Sequence, residues 1–293
     1  MMTGKITLPI LLKSMNAKKH KVLFYLIGIT IIFSSCGKEN EQIDYNVGVL
    51  ASQEYVQSQQ MMNLLLNTYF KSITDSLLIF NYHSEIDGAV VVYSDTPEEK
   101  IVMDYPDWGC SDDCGHYRAG TITAKPNTGF YDSLAVINFT FENFQYDNND
   151  VYVNGMTITN LGRLNGIHYT FKIQTGSVQV IYADTSGATE FNMGQNFVFY
   201  KDPTTIFHSP EDYFEITGTM NGTTSTGESF TANLSEQEYI LNAFSCIWAK
   251  LGPAILSFES VTYEAFILFP GADTCLNKYA VGIDGNPFFY PFD

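Results

Sequence analysis

The chain has 293 residues, of which 45% are hydrophobic and only 16% are charged, and this composition excludes a largely disordered protein. Its formal net charge is −17, from 15 Lys and Arg against 32 Asp and Glu. Because the first 35 residues hold five lysines and no acid, the remainder is still more acidic. Such a surface repels nucleic acid and anionic lipid, and we expect neither as a partner.

The N-terminal segment has the pattern of a secretory signal. A basic stretch, Lys18–Lys21, precedes an apolar run of 12 residues, Val22–Phe33. This run is too short to cross a bilayer, which takes about 20 residues. We therefore predict a signal peptide over residues 1–35, with Met15 as an alternative start of ordinary signal length.

The signal ends in Phe33-Ser34-Ser35-Cys36, which resembles the lipobox of bacterial lipoproteins, although Leu is usual where Phe33 stands. The resemblance implies that Cys36 is acylated, with palmitate-type chains, and becomes the new N-terminus. We expect residues 36–50 to be the acylated cysteine and a tether. The alternatives are an ordinary cleaved signal, or an uncleaved anchor, with a chance cysteine.

The residues after Cys36, Gly37-Lys38-Glu39-Asn40-Glu41, resemble the export signal of Bacteroidota-type lipoproteins. Asn40 occupies a position where a second acid is usual. The resemblance implies a protein that is lipid-anchored in the outer membrane and faces outward. The alternative is a plain solvated tether.

The domain that follows, residues 51–293, is predicted to open with one amphipathic helix from Ser52 to Ser76, capped by Ser52. Its apolar residues recur at helical spacing on one face, while Gln, Asn and Lys lie elsewhere. A lone helix must bury such a face, and the following sheet is the obvious surface for it. The stripe consists of Met62, Leu65, Leu66, Tyr69 and Ile73.

From about residue 77 the hydrophobic period is two, which is typical of antiparallel strands with one buried face. The clearest examples are 137–141, 169–173 and 214–220. The sequence therefore predicts a mainly β single domain, an antiparallel β-meander or sandwich-like sheet with the helix packed on it. Predicted turns are Asp147–Asp150, Asn154-Gly155, Asn165-Gly166, Asn221-Gly222 and Asp284-Gly285.

Four cysteines remain beyond Cys36, and in an exported chain they suggest two disulfides with three connectivities. We favour the local pairs Cys110–Cys114 and Cys246–Cys275. The alternative for the first pair is a zinc site formed by Cys110, Cys114 and His116 with Asp112 or Asp113. No standard zinc module has this spacing, and thiols in an oxidising compartment usually pair, so we expect a disulfide and no metal.

Roughly residues 117–292 resemble an uncharacterised family of Bacteroidota outer-membrane lipoproteins. The resemblance implies the pairing of Cys246 with Cys275 and brings no activity with it. The stretch Leu251–Phe269 is more apolar than the family pattern. The matching segments are 120–124, 135–144, 153–160, 213–219, 227–231, Cys246-Ile247-Trp248 and Thr274–Lys278.

No nucleophile elbow, zinc-protease helix or phosphate-binding loop is present, so we expect a binding or structural protein without catalysis or cofactor. The first alternative is a surface module for glycan or calcium, with Asp147–Asp150 either a cation site or a plain turn. The second is a hydrolase, which needs a histidine in a cleft beside a nucleophile; the candidates are His83, His116, His168 and His208. An extracellular glycan or an envelope protein is the expected partner. The tail Pro287–Phe292 is either a last core strand or an exposed aromatic edge.

Overall fold

The computed structural model describes residues 45–111, 116–130, 132–164, 168–271 and 275–292, which belong to one compact unit, Tyr45–Asp293. Within these ranges the helices are α1 (Asn46–Ile73) and α2 (Ser76–Asn81). The strands are β1 (His83–Ile86), β2 (Ala89–Ser94), β3 (Lys100–Ser111), β4 (Tyr117–Pro126), β5 (Val136–Tyr146), β6 (Asn149–Asn154), β7 (Thr157–Leu164), β8 (His168–Gln174), β9 (Ser177–Ile181), β10 (Ala188–Tyr200), β11 (Tyr213–Thr223), β12 (Ser229–Leu234), β13 (Ile240–Ala243), β14 (Leu251–Phe258), β15 (Ala265–Pro270), β16 (Tyr279–Ile283) and β17 (Asn286–Tyr290).

All of these strands join one sheet whose ladders are antiparallel, as the sequence predicts. Neighbours in sequence are mostly neighbours in the sheet, which is therefore a long meander. Strands β1 to β5 follow one another across the sheet. Strands β6 and β7 lie end to end beside β5, and β9 and β8 lie end to end beside them. Strands β10 and β11 come next. Strands β12 and β13 lie end to end between β11 and β14, and β15, β16 and β17 complete the order.

The sheet curls around α1, whose side chains touch it in every direction. Four consecutive residues, 68–71, point about 100° apart, so together they sample all sides of the helix. Their partners come from β4, β5, β8 and the segment after β13. The contacts are Thr68 with Arg118, Tyr69 with Phe139, Phe70 with Phe171, and Lys71 with Phe244.

Enclosure buries polar side chains of α1 as well as apolar ones. Gln59 and Gln195 of β10 exchange two side-chain hydrogen bonds of 2.7 and 3.2 Å, and Asn242 of β13 donates to Asn67 at 2.9 Å. The Glu54 carboxylate, 4% exposed, accepts hydrogen bonds from the Thr189 hydroxyl and from Ser225. A buried amide or carboxylate is costly unless it is bonded, so these partners fix the position of α1 in the sheet.

Trp248 contacts residues beside two separate strands of the sheet, β4 and β17. The Trp248 ring lies 4.9 Å from Phe292, which follows β17, and 5.4 Å from His116, which precedes β4. The main chain beside it accepts a hydrogen bond from Gln60 of α1 at Ile247. The segment between β13 and β14 therefore packs on α1 and on the ends of β4 and β17, and we call it the covering segment.

The prediction of a mainly β domain with one main helix is confirmed, but the bounds of that helix differ. Helix α1 begins at Asn46, inside the predicted tether, and Ser52 is fully buried within it instead of capping it. The early start depends on a tertiary contact: Gly48 lies against the Tyr263 ring, where a Cβ would come within 2.7 Å. At the other end the helix breaks at Thr74, and Asp75 caps α2 by accepting from the Leu78 amide.

Three of the five predicted turns are confirmed: 147–148, 154–155 and 284–285 each join consecutive strands. Asn165-Gly166 lies outside the described residues. The turn predicted at Asn221-Gly222 is wrong, because both residues belong to β11. Gly222 is needed there for a different reason, since the Phe230 ring of β12 packs over it and a Cβ would approach that ring to 2.6 Å.

No helix within the described part of the chain combines the length and apolarity needed to span a membrane.

The enclosed helix predicts a large contrast between two phenylalanines ten residues apart. Phe70 is 1% exposed and contacts rings on β8, β10 and β11, whereas Phe80 on α2 is 71% exposed. We expect Phe70→Ala to lower the free energy of unfolding by about 3–5 kcal/mol and Phe80→Ala to change it by less than about 0.5 kcal/mol. Urea unfolding followed by circular dichroism measures both, and equal effects would contradict an enclosed α1.

The Cys246–Cys275 disulfide is formed, linking the covering segment to the start of β16 across 29 residues. Replacing both cysteines with alanine should lower the free energy of unfolding by about 3–4 kcal/mol, because the unfolded chain loses the closure of this loop. Cys110→Ala with Cys114→Ala is the matched control and should cost less, since a bond there would close only a tight turn. Alkylation of Cys246 or Cys275 in the unreduced protein, seen by intact mass, would refute the pairing.

Candidate functional site: an opening in the sheet

The sheet separates between β5 and β6 and closes again on either side of the gap. At one end of the gap Gln145 pairs with Asp150, and at the other end the Phe139 amide donates to the Met156 carbonyl at 3.1 Å. Residues 140–144 and 151–155 are in register to pair, yet no ladder joins them. Each run instead keeps its other neighbour, β4 or β9. The result is an opening bounded by two continuous strands.

A bulge on β5 accounts for the opening. Asn143 has a left-handed backbone, with φ of 50°, and the β4–β5 register shifts at this point. A Cβ on Gly120 of β4 would come within 2.3 Å of the Asn143 carbonyl oxygen. Only glycine permits this approach, which draws β5 toward β4 and away from β6.

The opening forms the floor of an outer-face groove of about 780 Å³. One exposed ring, Tyr152 of β6, is 59% accessible and stands directly across from Gln179 of β9. The rest of the wall is mostly amide and carboxylate, with partly exposed Phe141 on the β5 side. These polar residues are Glu142, Asn143, Gln145, Asp150, Asn154, Ser177, Gln179 and Glu190.

Two carboxylates in the groove are held by neighbours on the sheet. Gln145 donates to Asp150 Oδ1 at 2.8 Å, and the Ser177 hydroxyl donates to Glu190 Oε1, also at 2.8 Å. Each carboxylate keeps a further oxygen for a ligand donor. A ring beside oriented acceptors can hold a molecule that has both an apolar face and hydroxyl groups.

A second outer groove of about 780 Å³ lies beside Trp108, which is 84% exposed on an irregular part of β3. Its walls carry four carboxylates, but two of them already have partners. Asp87 is paired with Lys71 at 2.7 Å, and Asp104 accepts from Thr121 at 2.7 Å. The remaining two are Glu85 and Asp107.

The four candidate histidines are scattered over the molecule. His83 is exposed at the start of β1, and His208 faces Asp75 at 3.4 Å. His168 lies 4.1 Å from the Tyr200 ring. Burial, followed by a hydrogen bond to Glu215, raises the pKa of Tyr200 to about 12, so this phenol stays protonated at neutral pH.

His116, the fourth histidine, is buried against the turn between β5 and β6. Its Nδ1 lies 2.8 Å from Asp147 Oδ2, while the other Asp147 oxygen accepts from the Tyr117 amide at 2.9 Å. Asp147 and Asn148 both have positive φ, which is the geometry of a tight hairpin turn. In the segment Asp147–Asp150, residues 147 and 148 therefore form a turn whose carboxylate, Asp147, accepts a hydrogen bond from β4, and Asn149 and Asp150 begin β6. No group of three His, Cys, Asp or Glu in the described ranges could hold a metal ion.

The predicted lipidation site, Cys36, lies outside the described residues, as do Cys114 and the side chain of Cys110.

The tail was predicted to be either a last core strand or an exposed aromatic edge, and β17 has features of both. Phe288 and Tyr290 pack against the core, while Phe289 is 69% exposed. The groove residues were missed by sequence reasoning. The available signals were a glycine opening the segment 120–124 and an asparagine interrupting the alternation of β5 at 143, both of which are typical of a bulge.

Comparisons with protein-family models, with curated proteins and with solved structures found no match to this chain.

Proposed function

We propose that this chain is a lipid-anchored envelope protein with a binding role, and that the opening between β5 and β6 holds its ligand. The lipobox-like segment ending at Cys36 and the resemblance to Bacteroidota lipoproteins support the anchor and the outer-membrane location. The observation that carries the binding role is the opening itself. Paired strands satisfy their backbone N–H and C=O groups with hydrogen bonds. Five residues on each side of the gap are in register to pair but do not, so their facing backbone groups lack these hydrogen bonds and are open to a ligand.

The ligand class that fits the groove is a glycan. The exposed face of Tyr152 suits the C–H face of a sugar ring, while amides and carboxylates on both sides suit its hydroxyls. Calcium fits less well, because it takes six to eight converging oxygens and the described residues offer no cluster of three acidic or histidine ligands. The hydroxyl-rich ligand is therefore favoured over the cation.

Tyr152→Ala tests the groove. Loss of the stacked ring should weaken binding to an immobilised panel of neutral and acidic oligosaccharides by about tenfold or more, equivalent to about 1.4 kcal/mol. Tyr82→Ala is the matched control, because Tyr82 is also exposed, at 49%, but lies on the loop after α2. Biolayer interferometry gives both affinities. No binding to any member of the panel, or equal loss in the two variants, would contradict the glycan proposal.

Cys36→Ala tests the anchor. The variant should lose incorporation of a clickable palmitate analogue and appear in the soluble fraction, while Ser35→Ala, which keeps a small residue before the cysteine, should stay lipidated. Retention of Cys36→Ala in the membrane fraction with its signal cleaved would contradict the anchor. Protease added to intact cells then distinguishes an outward-facing domain, which is digested, from a periplasmic one, which is protected.

A further inference from the structure

The outer face of the last strands contains no charged side chain. In β13 to β17 the buried positions alternate with outward ones, and the outward positions are apolar or glycine except for Ser257 near the end of β14. The most exposed member is Phe289 at 69%. We call this set the apolar face; it consists of Leu241, Leu251, Pro253, Ile255, Phe266, Leu268, Pro270, Ala280, Gly282, Pro287 and Phe289.

Cross-strand pairing makes the apolar face continuous. One row runs from Pro253 through Leu268 and Ala280 to Phe289. A parallel row runs from Ile255 through Phe266 and Gly282 to Pro287. Outward positions on the central strands are mostly polar; examples are Thr121, Thr123, Asn138, Thr140, Glu190, Asn192, Thr219 and Asn221. Exposed apolar side chains do occur on other strands, such as Val90, Val92, Leu161 and Ile181, but the apolar face extends without a charged residue across four neighbouring strands, β14 to β17.

A contiguous exposed apolar surface of this kind marks an interaction site, because monomeric proteins rarely leave one in water. Pairing of two copies through the edge strand is disfavoured by the sequence of that edge. Among the described strands β17 pairs only with β16, and Pro287 has no amide hydrogen to offer a second chain.

The entry point of the chain favours a bilayer as the partner. The Tyr45 hydroxyl lies 3.4 Å from Asp284 in the β16–β17 turn, and its ring packs on Tyr263 just before β15. Chain entry is therefore beside the strands that carry the apolar face. Eight residues lie between Cys36 and Tyr45, and the nine Cα-to-Cα steps that join the two can span at most about 30 Å when fully extended.

We infer that the apolar face lies on the membrane surface, with Phe266, Leu268 and Phe289 inserted into the interface of a zwitterionic bilayer. The inference rests on the proposed acylation of Cys36, which brings the chain to the membrane, and adds the surface by which the domain then docks. Insertion relies on apolar area, because the face has no cation to attract anionic lipid and the chain as a whole is acidic. The acyl chains supply the anchor, and the face adds apolar area that holds the domain itself against the bilayer.

Vesicle flotation tests the face without the anchor. The probe is a phosphatidylcholine vesicle, and the protein is residues 37–293 without acylation, since Tyr45–Asp293 is a compact unit with its own core. This chain should float with the vesicles. Leu268→Ser with Phe289→Ser should reduce the floating fraction about tenfold or more. The matched control, Phe80→Ser with Ile206→Ser, removes residues that are 71% and 79% exposed on other parts of the surface and should float like the parent.

A fluorescence measurement locates the contact. Phe289→Trp should add fluorescence that is quenched by phosphatidylcholine brominated on its acyl chains, whereas the fluorescence of the parent chain, which comes from Trp108 and Trp248, should not be quenched. Equal thermal melting of all variants shows that they fold.

Failure of the parent chain to float, or flotation unaffected by the two face substitutions, would overturn the inference. A dimer in light scattering that the face substitutions dissociate, with no flotation, would overturn it in favour of a second copy. The palmitate label is read separately, on the full chain that contains Cys36. Labelling of the full chain together with no flotation of residues 37–293 refutes the docking face alone, while absence of the label refutes the anchor.

Discussion

Helix α1 is a 28-residue rod about 42 Å long, and the sheet must satisfy its side chains on every side. Apolar contacts such as those of Phe70 provide most of the stabilisation, but they are not directional. The polar contacts decide the depth and rotation of the helix. The Gln59–Gln195 pair and the Asn67–Asn242 bond each leave a costly buried amide if the helix slides or turns.

Enclosure of the helix also means that the outward side chains of the sheet are not needed for the core. Because the inward half of each strand already packs on α1, the outward half is not needed to bury a second layer. Most outward positions are accordingly polar, as alternation in an antiparallel sheet predicts. Where the outer surface departs from this, at the β5–β6 opening and at the apolar face, packing inside the sheet gives no reason for the departure. These two places are therefore the strongest candidates for interaction.

Local rules predicted the parts of this fold that depend on neighbours in sequence. Alternation identified strands such as 137–141, and the hairpin turns at 147–148 and 284–285 followed from residues that tolerate positive φ. The disulfide between Cys246 and Cys275 followed from compartment and resemblance.

Non-local packing limited the remaining predictions. Gly48 accommodates the ring of Tyr263, which lies just before β15, so the helix start was assigned wrongly. Gly222 accommodates the Phe230 ring directly opposite it on β12, a cross-strand contact that its Asn-Gly sequence does not reveal, so a turn was assigned wrongly. The burial of Asn67, which lies on the side of α1 away from the apolar stripe, had the same cause. The periodicity of apolar residues in α1 indicates one buried face, and it cannot show that the sheet also buries the polar residues on the other faces. The opening was missed because it requires Gly120 and Asn143 to meet across two strands.

The topology places the two proposed surfaces on different sides of α1. From the β5–β6 opening the sheet reaches the strands that carry most of the apolar face, β14 to β17, only after passing through β9, β10, β11 and β12, and in the other direction only across its two end strands, β1 and β17. A domain resting on a bilayer through β14 to β17 would therefore turn the groove at Tyr152 away from the lipid. Ligand access and membrane docking are then compatible in one molecule, because neither surface has to move for the other to be occupied.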